Sequence, residues 1–83
     1  MKRIGRLIFE KRFSFGDSQK DLAYSVGVSI STVSNWENGK SVPSKEVLPN
    51  LALALETTVE ELEQAIEDED NSEVRETGDQ VYL

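Results

Sequence analysis

Residues 18–40 read Ser-Gln-Lys-Asp-Leu-Ala-Tyr-Ser-Val-Gly-Val-Ser-Ile-Ser-Thr-Val-Ser-Asn-Trp-Glu-Asn-Gly-Lys. Two helix starts and two stops lie within these 23 positions. Ser18 with Asp21 three residues later is a short-chain version of the capping box, and it opens a helix on Gln19. Leu22, Ala23 and Val26 then repeat at helical spacing and form an inward face. Gly27 ends that helix after about two turns, because only glycine takes a positive φ without opposition from a β-carbon. Ser29 caps a second helix, whose inward residues are Val33 and Trp36, joined by Val28 just before the cap. Ile30, Ser31, Ser34, Asn35 and Asn38 are left pointing outward, and Asn38-Gly39 is a stop. Ala23 stands where the two helices must approach, and a larger side chain would push them apart. Helices this short need tertiary packing to persist.

Working outward, strand signals are nearly absent and helical spacing continues. A first helix is expected from about Lys2 to Phe13, with Ile4, Leu7, Ile8 and the stem of Lys11 on one face; Gly16 follows its end. After the loop Lys40-Ser41-Val42-Pro43, Ser44 can cap a fourth helix, but Pro49 lies five residues into it. Either Ser44–Leu48 is a separate irregular turn with Pro49 in the first helical position, or the helix opens with a kink; the first is preferred because an interior proline clashes with the turn before it. Leu48, Leu51 and Leu55 are core candidates. Thr58-Val-Glu-Glu61 is a full capping box for a fifth helix, with Val59, Leu62 and Ile66 apolar. From Glu67 onward the chain turns acidic with almost nothing to bury, so disorder is expected from about residue 69. The organisation is one all-α, five-helix domain over 1–67, with a pair motif at 18–38, and an acidic flexible tail over 68–83.

The chain has 83 residues, a net charge of −7 and no Cys or His. Without those two residue types no metal site or cofactor is expected, and a His-based catalytic triad is impossible. Carboxylates are abundant but crowd the fifth helix and tail with no cleft implied, so the protein is not expected to be an enzyme. No apolar run approaches a membrane span and no signal peptide is evident, so the expected location is cytoplasmic. The mean charge hides an asymmetry. Residues 1–45 carry eight basic residues against four acids, net +4, whereas residues 46–83 carry Arg75 against twelve acids, net −11. That pattern separates a basic working surface from an acidic tail.

A small residue at 23, glycine four later and an aliphatic six after that make a helix-turn-helix pattern. Together with Trp36-Glu-Asn-Gly-Lys40 and Pro43, the stretch from Ser18 resembles the Cro and phage-repressor family, the XRE or lambda-repressor-like helix-turn-helix domains. Leu48–Leu62 resembles the two helices that complete the five-helix domain, and the likeness spans roughly residues 2–66. The resemblance implies a sequence-specific DNA-binding transcriptional regulator, a repressor, with the helix at about 29–38 in the major groove of a palindromic operator and the protein acting as a homodimer. It implies base contacts from Ile30, Ser31, Ser34 and Asn35. It implies backbone contacts from Gln19, Ser29, Thr32, Gly39 and Lys40, with Gln19 also bracing the recognition helix. Arg12 and Glu37 occupy positions that form a buried ion pair in some members. Three residues depart from the pattern. Asp17 replaces an apolar residue whose packing Phe15 would supply, Glu56 replaces a helix-ending Gly, and Ile30 replaces a polar base reader.

The residues themselves give blander readings beside these. Asn35 and the serines also suit a solvated helix face. Lys11, Lys20, Lys40, Lys45 and Arg12 suit either phosphate neutralisation or plain solubility, and their clustering in the first half favours phosphate. Trp36 is read as core rather than as a stacking platform. An alternative function is an antitoxin-like or regulator-interaction module, in which the acidic tail and its Val81-Tyr82-Leu83 end bind a protein partner. A third is a degenerate motif that binds no DNA.

Overall fold

The computed structural model describes residues 3–74, with side chains through residue 68. Five helices follow one another: α1 Arg3–Ser14, α2 Gln19–Val26, α3 Ile30–Glu37, α4 Leu48–Leu55 and α5 Val59–Val74. No strand occurs among the described residues. α1 packs on both α3 and α5, α2 packs on α3 and α4, and α4 closes against α5. Every helix contributes to one core. Ile4 and Ile8 come from α1, Leu22, Ala23 and Val26 from α2, and Val33 and Trp36 from α3. Leu48, Leu51 and Leu55 come from α4, and Leu62 and Ala65 from α5. A fully buried aliphatic side chain stabilises by about 1.5–3 kcal/mol, and packing of this kind supplies what a two-turn helix lacks alone.

The start signals of the central pair act as the sequence predicts. The Ser18 side chain accepts from the Asp21 backbone N–H, and the Asp21 carboxylate accepts from the Ser18 N–H, each at 3.0 Å. Those hydrogen bonds hold the exposed Asp21 carboxyl below its usual range. Gly27 takes φ 89° and returns its N–H to the Ala23 carbonyl at 2.8 Å. Pro49 lies in the first turn of α4, after an irregular turn at 45–47, so the unkinked alternative holds.

Three features differ from the sequence reading, and a fourth lies outside it. Phe15 is 43% exposed and does not replace the missing apolar residue at 17. At α5 the Thr58 hydroxyl accepts from the Glu61 N–H at 3.0 Å, but the Glu61 carboxylate turns to the Thr57 hydroxyl rather than back to Thr58, so half of the box is realised. α5 also continues to Val74, past Glu67. Before that stretch the Gln64 amide donates to the Asp68 carboxylate one turn ahead, at 3.1 and 3.2 Å. The rest of the expected tail, including Val81-Tyr82-Leu83, lies outside the described residues. Finally, Gly5 is buried where α1 meets the end of α3. A β-carbon there would sit 2.6 Å from the Trp36 carbonyl oxygen and 2.9 Å from that of Glu37. Glu56 ends α4 at φ 56°, the left-handed conformation the sequence reading treats as strained for a residue with a side chain.

Candidate nucleic-acid interface

α3 is fixed at its start by its cap and at its end by charge. The Ser29 hydroxyl accepts from the Thr32 N–H at 3.1 Å and shares a 2.9 Å hydrogen bond with the Thr32 hydroxyl. At the far end Glu37 is buried, with 7% of its side chain exposed. A lone buried carboxylate is costly, and three N–H donors from two side chains meet this one. Arg12 of α1 donates from Nε to Oε2 at 2.7 Å and from Nη2 to Oε1 at 3.0 Å, a bidentate fork. Gln19 of α2 donates from Nε2 to Oε1 at 3.0 Å. The hydrogen bond to Glu37 raises the Arg12 pKa further above its ordinary value, against the opposing effect of burial. Three helices are thereby tied at one carboxylate.

This network corrects one expectation. Arg12 is not a free phosphate ligand, since its Nη1 also donates to the Asp17 carbonyl at 2.9 Å and its guanidinium lies 5.2 Å from the Phe9 ring centroid. It anchors the recognition helix instead. Gln19 does the bracing the resemblance implies and keeps its second amide hydrogen for another acceptor.

The outward face of α3 holds the expected base readers. Ile30 is 48% exposed, and Ser31 and Asn35 are exposed. Ser34 is half-buried and its hydroxyl accepts from the Asn38 side chain at 3.2 Å, leaving its own proton to donate. Trp36 is 3% exposed, so it is core. Past the helix, Gly39 has φ 78°, and the Lys40 N–H bonds the Asn35 carbonyl at 2.9 Å. The Lys40 side chain is exposed. Ser29 thus stands at the start of one short helix and Gly39 and Lys40 just past its end, with Ile30, Ser31, Thr32, Ser34 and Asn35 along its length.

Two residues of consequence carried no sequence signal that was read as functional. Gly5 lies inside a helix, where glycine usually only weakens it. Tyr24 is 89% exposed on α2, beside the start of α3.

A short recognition helix locked at both ends, with its polar face open and basic residues around it, defines a helix-turn-helix DNA-binding domain. Residues 8–62, well over half of the chain, match the family model described as helix-turn-helix. The chain belongs to that family, in its XRE or Cro/repressor form, and its class is DNA-binding regulator. A comparison with curated proteins gives no match. Among the described residues no helix is long and apolar enough to cross a membrane.

Proposed function

We propose that this protein is a sequence-specific transcriptional repressor that binds a palindromic operator as a homodimer. The observation that carries the reading is the division of α3 into a pinned inner face and an open outer one. In the major groove Asn35 makes a bidentate contact to adenine, Ile30 packs on a thymine methyl, and Ser31 and Ser34 add single hydrogen bonds. Gln19, Ser29, Thr32, Gly39 and Lys40 bind phosphates and set the register of α3 on the duplex. Four readers on one short helix give little discrimination, and pairing two copies doubles both base and phosphate contacts. Two-fold symmetry then sets half-sites about one helical turn (~34 Å) apart. Leu53, 78% exposed on α4 just before the turn into α5, supports a dimer surface formed by that turn and α5. With its operator lying across a promoter, the bound dimer blocks transcription, which is the repression proposed.

Selection of bound sites from random double-stranded DNA, followed by footprinting, tests the reading. The expected result is an enriched palindrome with two symmetric protected regions. One unpaired region overturns the dimer, and no enrichment overturns specific recognition.

A further inference from the structure

All three phenylalanines of the chain stand on the surface, in the second half of α1 and just past its end. Phe9 and Phe13 lie one turn apart and stack, with ring centroids 5.7 Å apart and planes inclined by 17°. A single exposed apolar residue is ordinary, but a stacked pair with a third ring two residues on is a patch, and patches mark interaction sites. The helix that carries this one is basic, with Arg3, Arg6, Lys11 and Arg12 against Glu10, and Glu10 is already met by Arg6. Tyr24, more exposed still, shares its concavity with Asp17 and Asp21, which oppose an acidic occupant. The sequence holds a stretch complementary to the α1 patch in both respects. Residues 76–83, outside the described residues, read Glu-Thr-Gly-Asp-Gln-Val-Tyr-Leu, with two acids, no base and three consecutive apolar side chains.

We propose that Val81-Tyr82-Leu83 docks on the Phe9–Phe13 face of its own chain and that this contact opposes DNA binding. The opposition rests on the function proposed above. The segment is long enough. α5 packs on α1, and its Ala65 lines one groove with Arg3, Arg6 and Leu7. Val74 lies nine residues past Ala65 and Phe13 six past Leu7, so the separation along the axes is ~23 Å even if the helices run oppositely. Residues 75–83 span ~30 Å when extended, which leaves length to cross α1. Glu76 and Asp79 then pass the arginines of α1, and the apolar triplet covers the rings. The link to DNA runs through the anchor of the recognition helix. The Phe9 ring lies against Arg12, Arg12 holds Glu37, and Glu37 holds Gln19. A segment seated on Phe9 thus brings carboxylates toward the end of α2 that Gln19 offers to phosphate, and like charges repel there.

The test uses the full chain. It has no Cys, so Gln80→Cys gives a single attachment point for a nitroxide. The label is expected to broaden the backbone amide signals of Phe9 and Phe13 in dilute solution, and Phe13→Ser in the labelled chain is expected to abolish that. DNA affinity is then measured for unlabelled Phe13→Ser and for a chain with Val81, Tyr82 and Leu83 all changed to Ser. Both are expected to keep the helical circular dichroism of the parent, since Phe13 is no part of the core. Each is expected to bind DNA about three- to tenfold more tightly per chain, the factor released when a parent is competent for about one-third to one-tenth of the time. Combining the two sets of changes should add nothing further, because either alone removes the same contact. If the parent selects its operator but neither broadening nor tighter binding is found, the inference fails and the proposed function stands. If the contact forms and both variants bind DNA as the parent does, the opposition is absent and the inference is overturned. Broadening between labelled and isotope-enriched chains in a mixture would assign the contact to a second copy, which also overturns it. If Phe13→Ser changes neither readout but loses regulation in cells, the patch serves another protein and the inference is wrong. If the parent selects no DNA, the proposed function fails and the inference with it.

Discussion

The two faces of α3 are built from the same eight residues at helical spacing and have opposite duties. The inner face, Val33, Trp36 and Glu37, is buried. It is held by a glycine-sized gap in α1 and by two side chains from other helices. The outer face makes few bonds within the molecule and leaves donors and acceptors toward solvent. The comparison teaches that stability and recognition are carried by separate atoms within one helix, so each should be removable without the other.

The largest effect should come from Trp36→Ala, which empties the inner face at its widest residue. The loss is expected to be about 3–5 kcal/mol, enough to unfold much of a domain this small. A melting point that barely moves would show that the inner face is not where the stability lies. Next is Gly5→Ala. Added to an open helix, a methyl would help; here it meets two backbone carbonyl oxygens, so α1 and α3 must separate. A destabilisation of about 1–3 kcal/mol is expected in denaturant melts, and a stabilised variant would contradict the close approach. Asn35→Ala probes the other face. Stability should stay within about 0.5 kcal/mol of the parent, while operator binding weakens by about 1–3 kcal/mol per half-site and unrelated DNA is bound as before. A parallel loss on all sequences would move Asn35 from base contact to backbone contact.

The smallest effect is acidic and belongs to the cap of α2. The folded-state pKa of Asp21 is lowered from 3.8, chiefly by its hydrogen bonds with Ser18. A lowered carboxyl pKa means that the unfolded chain binds the proton more readily. The contribution is therefore present above about pH 3.8 and disappears as pH falls through the lower folded value. Asp21→Asn should remove that part of the acid dependence. Carbon-detected NMR titration of the Asp21 carboxyl should give a midpoint below that of an unstructured aspartate, and a midpoint at or above it would break the reciprocal cap.

What the sequence made legible follows the range of the interactions involved. Ser18, Gly27 and Ser29 act on backbone groups within four residues, so their roles could be read from the local string alone. The outward set on α3 followed from the phase of Val33 and Trp36. The Arg12–Glu37 pair spans 25 positions and was anticipated only through family resemblance; nothing near either residue announces it. Gln19 was placed correctly at the start of α2, but its bond to Glu37 depends on the crossing of three helices. Phe15 was misplaced because hydrophobicity says that a ring favours burial, not whether the chain passes close enough to provide it. The stretch of α5 past Glu67 to Val74 carries no apolar spacing, so that kind of sequence signal does not mark it.

The contact at Gly5 has a further consequence for how the domain can change. Most packing contacts can be adjusted in small steps, by exchanging one methylene for another on either side. A contact that depends on the absence of a side chain has no smaller setting, because alanine is already the least addition available. Single substitutions at residue 5 can consequently only push the end of α3 away from α1, in steps no smaller than a methyl group, and never draw it closer. New operator preferences in this domain are open to variation on the reading face, whereas a re-aimed recognition helix requires coordinated change at both helices.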